Sequence, residues 1–220
     1  MSAAHQTGSV RDTSEPRLEL AAQVRRLIAL TVGSRASDED VSAAAASLEK
    51  VADGLEAATR GRQPRRHPDR FGDPQDFFPT SPVIGFASPL APPVLIRAVG
   101  DELHGTAWFD YQYEGPPTCV HGGVIAMVFD EMLGSVNILA GFPSMTGTLT
   151  IRYRKPTPIR SPICLEARFV SRTGRRIRTW GGMYHGDELT AEADAVFVEA
   201  SAQFARSIRN ADLGNTDHAP

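Results

Sequence analysis

Apolar residues recur along this 220-residue chain with two different periods. From Leu18 the spacing is helical: Leu20, Val24, Leu27 and Ile28 mark a short amphipathic helix that Gly33-Ser34 ends. Ser37 and Asp40 make a capping box for a second helix, on which Val41, Ala44, Ala45, Leu48, Val51, Ala52 and Leu55 form a stripe closed by Gly61. The two read as a helical hairpin over 18–60 whose apolar faces must lie on the main domain or on a partner subunit, unless the hairpin is a separate binding module. Past Pro93 the period shortens to that of strands. Runs at 94–99 and 103–113 precede a breaker at Gly115-Pro116-Pro117, and runs at 146–153, 163–171, 175–184 and 189–204 follow Gly141-Phe142-Pro143.

Between the two sets of strands lies 121–140. Val124, Val128, Met132 and Val136 repeat every fourth position, with Ile125, Phe129 and Leu133 on the neighbouring row. A helix with this pattern is apolar nearly all round and is predicted to be buried. No Lys or Arg occurs between His121 and Ile151, so Asp130 stands in the apolar run without a cation nearby in sequence. A stranded carboxylate is expensive unless it is hydrogen-bonded or employed. Gly122 and Gly123 weaken the helix start, yet they bare the N–H groups that draw a developing anion to a helix N-terminus. Glu131 adjoins Asp130 but points about 100° away round the helix, which argues against a two-carboxylate site.

Two strands, one buried helix and four strands give an α+β order in which an antiparallel sheet wraps a single helix. The expected divisions are a loose tail at 1–17, the helical hairpin at 18–60, a Pro/Arg-rich connector at 61–93, the main domain at 94–204 and a tail at 205–220. Arg62, Arg65, Arg66 and Arg70 populate the connector, with Phe71, Phe77, Phe78, Ile84 and Phe86 as expected anchors. The net charge of −3 argues against a nucleic-acid partner. Cys119 and Cys164 lack metal-type spacing, no phosphate-cradling glycine motif appears, and the first residues carry no apolar signal region, which together suggest a reducing, cytoplasmic setting. No apolar run reaches the roughly 20 residues of a spanning helix, so no integral membrane association is expected.

The order of elements resembles the hotdog-fold acyl-CoA thioesterases, particularly the branch of the phenylacetate-pathway thioesterases and the animal thioesterase superfamily members. The resemblance covers 80–204. It rests on Gly115-Pro116-Pro117-Thr118-Cys119-Val120-His121-Gly122-Gly123, on Asp130 nine positions beyond His121, on 146–156 ending in Tyr153-Arg154-Lys155-Pro156, on Gly174-Arg175-Arg176, and on Ala191-Glu192-Ala193.

The resemblance implies hydrolysis of acyl-CoA to the free acid and coenzyme A, with coenzyme A as part of the substrate and no separate cofactor. Backbone N–H in the His121-Gly122-Gly123 turn would polarise the thioester carbonyl, Asp130 would serve as base or nucleophile, and Thr146 would position water. Some relatives carry an Asn six positions before His121, where this chain has Gly115. Gly123 and Asp130 lie seven residues apart, roughly 10 Å along one helix, too far for one carbonyl to touch both. The glycine turn of one subunit must therefore meet Asp130 of another, which implies a homodimer or a dimer of dimers. Arg152, Arg154, Lys155, Arg175 and Arg176 are the candidate ligands for the phosphates of coenzyme A, and side-chain alternation puts Arg152 and Arg154 on one face with Lys155 on the other. Two alternatives stay open: a non-catalytic acyl-CoA-binding or interaction protein, and a hotdog-fold enoyl-CoA hydratase, whose His and Asp about five residues apart this chain lacks.

Overall fold

A computed structural model describes residues 15–60 and 78–200. Two helices, α1 (Glu15–Gly33) and α2 (Asp38–Thr59), precede β1 (Val94–Val99) and β2 (Glu102–Trp108); helix α3 (Gly122–Leu139) follows, then β3 (Ser144–Tyr153), β4 (Pro162–Thr173), β5 (Arg176–His185) and β6 (Glu188–Glu199). The strands form one antiparallel sheet in the order β1-β2-β4-β5-β6-β3. Helix α3 packs on one face of this sheet, and Val128, Phe129, Met132, Leu133 and Val136 interlock there with Leu103, Ile163, Ile177, Met183 and Phe197. This is the α+β hotdog architecture that the sequence predicts, a sheet wrapped round one helix. By length and composition alone α3 is apolar enough to cross a membrane, which corrects the sequence-based expectation of no such run; here it is the core helix of the domain.

Three expectations change at the level of elements. The second strand stops at Trp108, because Asp110 accepts the N–H of Tyr111 (2.8 Å) and opens a 3-10 turn over Tyr111–Tyr113 that the aromatic run disguised as strand. Ser37 does cap α2, accepting the N–H of Asp40 at 3.2 Å, but no residue of α2 is buried, so its apolar stripe lies open. Helix α1 alone is anchored. Its Ala21 is buried, and Arg25 donates to the carbonyls of Ala91 and Ser88, each at 2.8 Å. Third, α3 is not enclosed all round: Gly123, Met127 and Asp130 form an exposed stripe on the side nearest β3. Of the connector anchors, Ile84 enters the core, while Arg62, Arg65, Arg66, Arg70, Phe71 and Phe77 lie outside the described residues.

The two sheet edges differ. Strand β1 is six residues long and follows Pro92-Pro93, which blunts it, whereas β3 runs ten residues with no proline and an outer side unpaired among the described residues.

Candidate functional site

Two polar arrangements lie at opposite ends of the seam between α3 and β3. At the first end His121 caps α3 from an extended backbone (φ −60°, ψ 133°) and its Nδ1 accepts the N–H of Gly123 at 3.0 Å. The imidazole tautomer in this geometry therefore carries its proton on Nε2. The N–H groups of Val124 and Ile125 turn back to the His121 carbonyl. That leaves Gly122 as the first-turn residue whose N–H has no partner among the described residues. Sequence reasoning treated the two glycines alike; the capping geometry of His121 distinguishes them. The hydroxyl of Tyr153, at the end of β3, donates to the Gly122 carbonyl at 2.9 Å and fixes the helix tip to the strand. Gly115 lies against the same tip, where a Cβ would come within 2.8 Å of the His121 Cα. No side chain fits at 115 without rebuilding the loop, so the donor that an Asn would provide has no place here.

At the second end the Thr146 hydroxyl donates to Asp130 Oδ1 at 2.6 Å, and both residues are exposed. This pairing depends on a bulge. Strict alternation would put Thr146 on the outward face with Thr148, Thr150 and Arg152, but Gly147 is an extra residue in the β3–β6 ladder, with Thr146 opposite Phe197 and Thr148 opposite Val196. Thr146 thus turns inward with Leu149, Ile151 and Tyr153. A Cβ on Gly147 would lie 3.1 Å from the Val196 carbonyl oxygen, closer than a side chain is comfortably held. Glu131 takes no part. It is half-buried on another side of α3, bonded to Ser81, and desolvation pushes its carboxyl above the usual carboxylate range, Asp130 adding to the rise.

A cleft of about 590 Å³ opens beyond the Gly122 tip, lined by Pro116, Cys119, Val120, Tyr153, Arg154 and Lys155 among others. Of the five cations that the sequence singled out, the structure places only Arg154 and Lys155 on this cleft. Arg154 is paired with Glu192 and Lys155 with Glu188, while Arg152 holds Asp194 at 2.6 Å on the outward face of the sheet. Arg175 and Arg176 sit at the far end of the sheet, where Arg175 donates to the Glu199 carbonyl and β3 begins. Among the described residues no His, Cys, Asp and Glu side chains are grouped so as to hold a metal ion.

Residues 118–192 match the sequence model of the Thioesterase superfamily. The acyl-coenzyme A thioesterase THEM4 of Mus musculus is 34% identical to this chain over 88 residues, and that of Xenopus laevis 31% identical over 88 residues. The matched stretch is 39% of this chain and 38% and 40% of those two proteins, so it spans about two fifths of the length of the curated relatives. A crystal structure of a thioesterase superfamily protein superposes with a TM-score of 0.76 and 28% identity, over 86% of this chain and 92% of that one. Over residues 118–192 the chain is thus similar to the Thioesterase superfamily, and it shares the fold of a solved thioesterase superfamily protein.

Proposed function

We propose that this protein hydrolyses acyl-CoA thioesters at a site shared between two copies of the chain. The observation that carries the reading is the pairing of Asp130 with Thr146 on the same open seam as the unpartnered Gly122 N–H. Water held by the Thr146 oxygen is activated by Asp130, whose second oxygen has no partner among the described residues. The water oxygen bonds to the thioester carbon while its proton passes to Asp130, and the carbonyl oxygen becomes an oxyanion facing the Gly122 N–H. Collapse of this intermediate breaks the C–S bond, and the proton returns from Asp130 to the departing thiolate of coenzyme A. The positive end of α3 adds to stabilisation of the oxyanion.

Gly122 and Asp130 are eight residues apart on one helix, about 12 Å, whereas the attacking water and the carbonyl oxygen must be neighbours. Two copies solve this through the free edge of β3. If two β3 strands pair antiparallel about a two-fold axis, the Tyr153–Gly122 end of one protomer meets the Thr146–Asp130 end of the other, twice over. The same exchange brings Arg176, near the start of β3, toward the partner's cleft. Arg154 and Lys155 at the cleft, with Arg176 from across the axis, suit the phosphates of coenzyme A, since both cleft cations are themselves about half exposed and the Lys155–Glu188 pair is open to exchange.

Replacing Asp130 by Asn removes the base and leaves the shape. The expected outcome is a fall in kcat of about 10²–10⁴-fold with acyl-CoA still bound. Acyl-CoA binding with no hydrolysis by the unaltered protein would instead make it the non-catalytic binding module.

A further inference from the structure

The shared-site reading leaves one residue of the open stripe unused. Met127 is 44% exposed, standing between Gly123 and Asp130 on α3. On β3, between the Thr146 and Tyr153 ends, Leu149 and Ile151 are partly buried apolar residues on the face turned to α3. The stretch between the two polar ends is therefore apolar.

Resting on the shared-site reading, we infer that Met127 meets Met127 of the partner subunit on the two-fold axis and sets the length of acyl group each site accepts. Two elements give the same axis once the exchange is assumed. Exchange of Gly122 or Gly123 with Asp130 fixes the midpoint of α3 at Ala126–Met127. Exchange of the Tyr153 and Thr146 ends fixes the midpoint of β3 at about Leu149 to Ile151, once the extra residue at Gly147 is allowed for. Both midpoints fall where the open side chain is Met127.

The cleft beyond Gly122 carries the cations and accommodates the nucleotide side of the substrate. The acyl group must then leave the carbonyl in the opposite direction, along the seam toward the axis. From the Gly122 tip to Met127 is five residues of helix, about 7.5 Å, and the first bulky apolar side chain on that path is Met127. A thioether side chain is flexible, so the stop is a soft one. Because the two Met127 side chains share the axis, an acyl chain long enough to displace the pair from one side narrows the space left to the other.

Two measurements on the full-length chain test this. The first compares M127C with the unaltered chain under oxidation, a 127–127 disulfide being identified by peptide mass. The expected result is an intersubunit 127–127 cross-link; its failure to form in a dimeric protein would overturn the axis and the shared-site geometry with it. The second measures kcat/KM for M127A and M127F across straight-chain acyl-CoA substrates from two to sixteen carbons. M127A is expected to raise the ratio of longer to shorter substrates by about 10-fold or more, and M127F to lower it by a similar factor, as pocket changes of one or two methylenes do. An unchanged profile beside a formed 127–127 cross-link would overturn the role of Met127 and leave the shared site standing.

Discussion

Asp130 gives one oxygen to Thr146 and its other oxygen has no partner among the described residues, the division that the proposed activating carboxylate requires. Its sequence neighbour shows the contrast. Glu131 is half-buried against Ser81, and its desolvation raises its pKa. A carboxyl with a raised folded-state pKa stabilises the fold fully below its unfolded value and loses that contribution as pH climbs through the folded one. Glu131→Gln keeps an acceptor for Ser81 and removes the ionisation. The variant is expected to melt at a higher temperature than the parent at neutral pH, with the difference closing as the pH falls below the usual carboxylate range. A Tm difference independent of pH would contradict the assignment of burial as the cause. The isolation of Asp130 from cations was legible in sequence; its bond to Thr146 was implied only by resemblance, because the two are 16 residues apart and no local pattern joins them.

At the scale of elements the bulge at Gly147 decides which way Thr146 faces. Gly147→Val presses a branched side chain toward the Val196 carbonyl and favours a regular ladder, in which Thr146 turns outward. Its kcat is expected to fall to the level of Thr146→Ala, with a lowered thermal transition but a chain still folded at the assay temperature by circular dichroism; full activity in Gly147→Val would remove the bulge from the site. Strands and core helix were readable because period two and period 3.6 are written plainly in 94–199. Two readings failed for identifiable reasons. The aromatic residues at 109–113 look like strand until the side chain of Asp110 is seen to hold a turn. The pattern of 121–140 predicts a helix buried nearly all round, but side-chain pattern alone does not say which side of a helix the sheet leaves uncovered, and Met127 stands exposed there.

For the whole molecule, the ten-residue edge of β3, unpaired among the described residues, and the open stripe of α3 lie together, which is where a second copy would complete the proposed shared site. Arg175 and Arg176 stand at the end of the sheet away from the cleft, and linear order does not reveal the two-fold exchange by which the proposed dimer would bring Arg176 to it. Lys155→Ala and Arg176→Ala are each expected to raise KM for acyl-CoA about 10-fold while barely moving KM for the matching N-acetylcysteamine thioester, which lacks phosphates. Equal effects on both substrates would remove these cations from nucleotide binding.

The shared site is tested most directly by mixing two inactive variants. Gly122→Pro deletes the N–H that has no partner among the described residues, at a position where proline fits the first turn of a helix, and His121 already has the extended backbone that a following proline demands. Alone it is expected to lower kcat by about 10²–10³-fold. Unfolded together with Asp130→Asn and refolded as a mixture, the two should recover about a quarter of parental activity, because half of the dimers are mixed and each mixed dimer restores one intact site of two. Activity of the mixture no greater than that of the separate variants would contradict a site built from the helix tip of one protomer and the carboxylate of its partner.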